Sequence, residues 1–174
     1  MVRETPDNYS NNWRVDFWST MCLHPCQWCV SCMFPCCMAY HQRNLLLDGD
    51  LTQYSCCQGV YGCKCTCWRT CPQLGLCLEV SLCTWCSVAA NRIMIQDRWR
   101  IQNTKCENAI LCMACICSWV ICISSFFVNI PLEAECAIEC IYCSLLGCLN
   151  TQQEIELKYR LADAENGIEM DPYA

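Results

Sequence analysis

Cysteine is the residue type that could do chemistry in this chain, which carries 24 cysteines among 174 residues. Thiolates bind zinc at tetrahedral corners, commonly through Cys-x-x-Cys pairs. Isolated cysteines often serve as small buried hydrophobes, but dense clusters at ligand spacing are uncommon. We therefore expect zinc as the cofactor. The pairs are Cys26/Cys29, Cys29/Cys32, Cys83/Cys86, Cys112/Cys115 and Cys140/Cys143.

The candidate ligands combine these pairs with the clusters beside them. His24 is the favoured imidazole because it lies between Cys22 and Cys26. An iron–sulfur cluster would also need four cysteines, but no ferredoxin spacing is present, so it is not expected. The full candidate set is Cys22, His24, Cys26, Cys29, Cys32, Cys36, Cys37, Cys56, Cys57, Cys63, Cys65, Cys67, Cys71, Cys83, Cys86, Cys112, Cys115, Cys140 and Cys143.

The N-terminal sequence bears on the redox state of these thiols. Residues 1–12 are polar and contain no apolar core of a signal peptide, so we expect a reducing environment. Structural disulfides are rare there and metal binding is more common. Metal would also supply folding energy to the segment 56–77, which has too few long apolar residues to fold by burial.

Two classes of function are disfavoured. A catalytic cysteine needs a histidine and an orienting carboxylate nearby, and no such set stands out with only two histidines in the chain. A Gly-rich phosphate loop is also absent from the sequence, so we expect no enzyme. The net charge of −6 argues against nucleic acid as a partner, because that partner requires a basic face.

The elements that must position the cysteines follow from composition. We predict an all-α, Cys-rich, metal-stabilised domain with irregular loops and a C-terminal helical hairpin. The expected parts are an N-terminal arm at 1–21, a Cys-rich domain at 22–163 and an acidic tail at 164–174. Within the domain, residues 73–105 read as one helix. The acidic, Cys-free stretch 150–174 predicts a solvated helix end or a partner-binding tail.

The hairpin contains a candidate membrane segment. Residues 109–130 are free of charge over a length that suits a spanning helix, and the return helix is expected over 132–163. Arg98, Arg100 and Lys105 precede the segment, so its N-terminal flank is expected on the cytosolic side. The alternative is a buried hairpin in a soluble Cys-rich core.

Two carboxylates lie in apolar stretches. Glu79 and Glu139 are candidates for an ion path, since a carboxylate inside a membrane is costly and often functional. The alternative is that Glu79 pairs with an arginine, for which Arg92 is the expected partner.

Several matched spacings together resemble the placenta-specific 8 (onzin) cysteine-rich family, most closely its plant and algal branch. The resemblance covers roughly residues 13–160. Its motifs are Cys29-x-x-Cys32-x-x-x-Cys36-Cys37, Tyr54-x-Cys56-Cys57-x-Gly59, Cys71-Pro72, Leu78-Glu79, Val88-Ala89-x-x-Arg92, Gln96-Asp97-x-Trp99-x-Ile101 and Cys140-x-x-Cys143.

The resemblance implies a small membrane-associated protein with a role in cell-number control or metal homeostasis. We accordingly expect a non-enzymatic structural or regulatory protein, in contact with membrane lipid and with protein partners or further copies of itself. The plasma membrane is the expected location, with the Cys-rich region facing the cytosol; an organelle membrane is the alternative. Two other functions stay open: a divalent-cation transporter or channel subunit, and a soluble zinc-stabilised adaptor in a larger assembly.

Overall fold

The structure, a computed structural model, describes residues 9–59, 70–124 and 131–166. The described residues are mostly helical, which confirms the all-α fold class. Two short strands, β1 (Asn11–Asn12) and β2 (Ile101–Gln102), pair in parallel. The helices are α1 (Thr20–Leu23), α2 (Pro25–Met33), α3 (Pro35–Leu46), α4 (Pro72–Leu82), α5 (Thr84–Trp99), α6 (Lys105–Ser124) and α7 (Leu132–Glu165).

Prolines set where several helices begin. Pro25, Pro35 and Pro72 each occupy the first helical position of α2, α3 and α4, where the missing N–H costs no hydrogen bond. The residue before a proline is kept out of the helical region by steric clash. Each of these prolines therefore separates its helix from the preceding chain.

The predicted helix over 73–105 is wrong in two respects: it is broken at Cys83, and it ends at Trp99, before the strand β2. The direction of the chain changes by 113° between α4 and α5. The backbone N–H of Cys83 still donates to the Glu79 carbonyl at 2.9 Å, and the Thr84 hydroxyl donates to the Val80 carbonyl at 2.7 Å. These bonds satisfy carbonyls at the end of α4. No proline lies at the break, so the sequence gives no local indication of it.

Helix α7 is the element around which the others pack, with α2, α3 and α5 against it. The predicted solvated end at 150–174 is wrong for residues 150–157, because all of these residues are buried. Several polar side chains there bond neighbouring elements. Thr151 donates to Ser31 on α2 at 3.1 Å, and Gln153 donates to the Val88 carbonyl on α5 at 3.2 Å.

Gln152 connects three parts of the chain from this same stretch. Its side-chain oxygen accepts from Arg92 at 2.7 Å, and its nitrogen donates to Glu107 of α6 at 3.0 Å and to the Val15 carbonyl at 2.8 Å. Buried amides of this kind stabilise only when they are hydrogen-bonded. Hydrogen bonds between polar groups therefore hold the interior together around Gln152. Apolar side chains pack on either side of this polar region.

Large apolar side chains lie on the surface of five of the described helices, α1, α2, α4, α6 and α7, as well as in the core. Such exposed groups become significant when they are numerous and share a region of the fold. They include Val30 and Met33 of α2, Leu74, Leu78 and Leu82 of α4, Met113, Ile116, Trp119 and Val120 of α6, and Ile141 of α7.

Taken one at a time, the described helices do not combine the length and apolar character needed to cross a bilayer. The α4–α5 pair meets that criterion when its two helices are counted together. The candidate segment 109–130 runs through most of α6 and continues beyond Ser124, outside the described residues. Helix α7 covers the stretch in which the return helix is expected.

Candidate metal centre

A tight turn brings two neighbouring cysteines together beside α4. Cys57 and Gln58 both adopt left-handed backbone conformations, with φ of 47° and 49°, and Gly59 follows with φ of 69°. Left-handed conformations are unfavourable for residues that carry a Cβ, and they persist where the surroundings impose them. The Gln58 side chain accepts from the Ser55 N–H at 2.9 Å, which closes the turn.

The turn places both thiols next to a carboxylate. The Sγ atoms of Cys56 and Cys57 and an oxygen of Glu79 all lie within 4.8 Å of one another. Zinc bonds of about 2.3 Å to sulfur place tetrahedral ligands about 4 Å apart, so this spacing is compatible with a shared cation. Among the described residues, Cys56, Cys57 and Glu79 form the one group of three possible metal ligands whose ligand atoms lie this close together.

Glu79 already has several donors. Its Oε2 accepts from the Tyr54 hydroxyl at 2.8 Å and from the Cys57 N–H at 2.6 Å, and its Oε1 accepts from Arg43 Nη2 at 3.3 Å. Both partners of the Arg43–Glu79 pair are buried. The carboxylate therefore fixes the position of the cysteine turn, and a cation here would depend first on the two thiols.

Burial is the largest cause that raises the pKa of the Cys57 thiol, and the neighbouring acidic groups Glu79, Cys56 and Cys86 act in the same direction. The thiol is therefore protonated at neutral pH. Burial, followed by the hydrogen bond to Glu79, also raises the pKa of Tyr54. A divalent cation would reverse this balance, because it stabilises the thiolate and displaces the proton.

The expected partner of Glu79 is wrong. Arg43 pairs with it, whereas Arg92 lies 3.5 Å from Glu107 and stacks 4.1 Å from the centre of the Trp13 ring. Sequence reasoning also missed Tyr54 as a partner of Glu79. These contacts join residues far apart in the chain, and no local spacing indicates them.

The two ion-path candidates differ in their surroundings. Glu79 is buried within α4 and bonded to Arg43, whereas Glu139 is exposed on α7. A path lined by carboxylates requires groups free to bind a passing ion. Glu79 does not meet this requirement while it is bonded to Arg43, Tyr54 and Cys57.

The remaining candidate ligands are spread over the surface. His24 and the half-buried thiols of Cys32, Cys36, Cys86 and Cys143 lie outside the converging group. Cys63, Cys65 and Cys67 fall outside the described residues, as does the side chain of Cys115. The exposed candidates are Cys22, Cys26, Cys29, Cys37, Cys71, Cys83, Cys112 and Cys140.

Comparisons with family models, curated proteins and solved structures find no match to this chain.

Proposed function

We propose that this chain is a non-enzymatic, zinc-binding protein held at a membrane, where it acts as a structural or regulatory component. Contact with membrane lipid and with protein partners or further copies of the chain is part of the proposal. The plasma membrane is the proposed location, with the Cys-rich region toward the cytosol. The expected resemblance to the onzin family points in the same direction.

One observation carries the membrane assignment: the exposed apolar side chains on α2, α4, α6 and α7 occur in a fold whose interior is unusually polar. Leu82 is 79% exposed and Met33 is 72% exposed, whereas Gln152, Gln153 and Glu156 are essentially inaccessible. Apolar side chains gain free energy when they leave water. A hydrocarbon environment would provide that gain without burying them against protein.

The zinc assignment is supported by the Cys56–Cys57 turn. It supplies two thiols within ligand spacing of each other. Two thiolates provide half of the ligands of a tetrahedral zinc site. An oxygen of the Glu79 carboxylate lies within 4.8 Å of both sulfur atoms.

Alkaline carbonate extraction of membranes that contain the full chain tests the membrane assignment. We expect the protein to stay in the pellet, because extraction at high pH releases proteins held by charge and leaves embedded proteins in place. Elemental analysis of the purified chain, with free thiols counted before and after chelation, tests the zinc assignment. Release into the supernatant would support the soluble adaptor instead.

Flux measurement separates the structural role from the transporter alternative. After reconstitution into sealed vesicles, we expect no zinc-dependent conductance or flux, because Glu79 is bonded to Arg43. Flux that is lost on Glu139→Gln would contradict the structural role and favour a transporter. The membrane and zinc assignments would remain in that case.

A further inference from the structure

We infer that the Cys56–Cys57 turn binds trivalent arsenic, taken up as arsenous acid and held by both sulfur atoms at once. The inference rests on the thiol site of the proposed function and goes beyond it, because it assigns to that site a ligand other than zinc. It is independent of the membrane assignment, since it depends only on the geometry of this turn.

Adjacent cysteines in a helix do not present both thiols to one point. Successive helical side chains are rotated by about 100°, so neighbours in sequence do not face each other. Cys36 and Cys37, in the first turn of α3, are such a pair. Cys57 instead has φ of 47°, and its sulfur lies within 4.8 Å of the Cys56 sulfur. The left-handed turn therefore forms a dithiol whose two sulfurs can bond one atom.

The protein fixes this turn without a ligand. The Gln58 side chain accepts from the Ser55 N–H at 2.9 Å, and the Cys57 N–H donates to Glu79 at 2.6 Å. Left-handed backbone is unfavourable for residues other than glycine, so these bonds hold a conformation that the free chain rarely adopts. A ligand that bonds both sulfurs meets them already ordered, and preorganisation of this kind increases affinity.

The number of available ligands distinguishes arsenic from zinc at this turn. Zinc takes four ligands at tetrahedral corners. The turn offers two thiols, and the nearby Glu79 carboxylate already accepts hydrogen bonds from three donors. Trivalent arsenic takes three ligands in a pyramid, and arsenous acid brings an oxygen of its own for the third. Two thiols therefore complete its coordination without a further ligand from the protein.

Binding exchanges oxygen for sulfur and involves no oxidation or reduction. Arsenous acid, As(OH)3, reacts with the two S–H groups: two As–O bonds break and two As–S bonds form. The thiol protons leave with the displaced hydroxyl groups as two water molecules. Arsenic stays trivalent and the net charge of the site does not change. A neutral product suits two half-buried thiols beside a carboxylate, because no additional charge has to be desolvated there.

The Glu79 carboxylate suits the hydroxyl group that remains on arsenic. One of its oxygens lies within 4.8 Å of both sulfurs, at the third corner of the group. A carboxylate that pairs with an arginine is an acceptor on both oxygens, and each oxygen can accept more than one hydrogen bond. The As–OH group can therefore donate to Glu79 while Arg43 keeps its contact at 3.3 Å.

Thiol alkylation, measured by mass spectrometry on the full chain in detergent micelles, tests the inference. The chain is reduced, freed of metal by chelation, and treated with N-ethylmaleimide in the presence or absence of sodium arsenite. We expect arsenite to protect Cys56 and Cys57 together. Cys36 and Cys37 are the matched adjacent pair and should remain reactive. Equal protection of both pairs, or no protection of Cys56 and Cys57, would overturn the inference.

Single variants test whether the two sulfurs hold arsenic jointly. Two linked contacts exceed the affinity of one by about a hundredfold or more. We therefore expect Cys56→Ser to raise the arsenite concentration that half-protects Cys57 by about this factor, and Cys57→Ser to do the same for Cys56. Serine keeps the backbone bond from position 57 to Glu79, so the turn is retained. A change below about tenfold would mean that each thiol binds alone, which contradicts the inference.

Zinc in place of arsenite separates failure of this inference from failure of the proposed function. Protection by zinc but not by arsenite would overturn the inference and leave the zinc assignment in place. Protection by arsenite but not by zinc would support the inference and contradict the zinc assignment at this turn. Circular dichroism of the serine variants, which should match that of the parent chain, confirms that a loss of protection does not come from unfolding.

Discussion

The Arg43 guanidinium lies 3.3 Å from the Glu79 carboxylate, and this buried pair joins α3 to α4. Arg43 also bonds the Asn91 side chain and the Ser87 carbonyl on α5. One side chain therefore connects three helices. Because Glu79 in turn accepts from the Cys57 N–H, the candidate metal turn depends on the same pair.

We expect Arg43→Met to lower the free energy of unfolding by about 3–5 kcal/mol, because it leaves the Glu79 carboxylate buried without its counter-charge. The double variant Arg43→Met/Glu79→Leu should lose less, since no uncompensated charge remains. Denaturant unfolding in detergent micelles measures both. Equal losses for the single and double variants would show that the arginine acts through packing alone.

A surface pair provides the control for this prediction. Arg98 lies 3.2 Å from Asp48, and both side chains are substantially exposed. Exposed pairs contribute about 0–1 kcal/mol, so Asp48→Asn, which leaves the hydrogen bond from Arg98 to the Leu46 carbonyl in place, should change stability little.

Gly147→Ala should destabilise the protein, although alanine normally favours a helix over glycine by about 1 kcal/mol. A Cβ at position 147 would clash with the Cys32 Sγ and would lie 3.1 Å from the Trp28 Nε1. Overpacking of this kind costs about 1–3 kcal/mol. Thermal unfolding of the variant provides the test.

The Gly147 result has its own internal control. Cys32→Ala removes the sulfur that the new Cβ would meet, so the double variant Cys32→Ala/Gly147→Ala should recover part of the loss. Additive effects would show that α2 and α7 do not approach as closely as the structure indicates.

Cys56→Ser combined with Cys57→Ser should lower the zinc content of the purified protein. Serine retains a similar size but lacks the soft sulfur that zinc prefers. Cys77→Ser is the matched control, because Cys77 is an exposed cysteine of α4 and is outside the converging group. Elemental analysis that shows the same zinc loss in both variants would argue against a site at this turn.

Arg92→Lys should cost about 1–3 kcal/mol of stability even though the charge is retained. The guanidinium donates to Gln152 at 2.7 Å and to the Asn103 side chain at 2.8 Å, while it stacks on Trp13. A lysine ammonium cannot make all three contacts at once. Denaturant unfolding beside the parent chain measures the loss, and an unchanged midpoint would contradict it.

Local sequence patterns are sufficient for the helical class, because prolines and apolar periodicity are local signals. They are insufficient at Cys83, where a helix breaks although Cys83-Thr84 contains neither proline nor glycine. They are also insufficient at Glu79, whose partner Arg43 lies 36 residues away. The choice between Arg43 and Arg92 depends on how α3, α4 and α5 pack, and that packing has no signature in residue spacing.

The acidic, amide-rich sequence at 150–156 illustrates the same difficulty. Its composition is typical of a solvated surface, yet every residue in it is buried because neighbouring helices supply donors and acceptors. The composition of a segment gives the number of its polar atoms, but it contains no information about where their hydrogen-bond partners lie. The candidate site was found only in part for the same reason: its cysteines are visible in the sequence, whereas Tyr54 and Arg43 are visible only in three dimensions.

The position of that polar stretch along the chain has a consequence for biosynthesis. Synthesis proceeds from the N-terminus, so Ser31, Gln42 and Arg92 leave the ribosome long before residues 150–156 exist to bond them. Until then their polar groups must remain hydrated or be held by another protein. The nascent chain therefore cannot close its interior early, and a factor that holds these polar groups during translation would have to release them only after α7 has emerged.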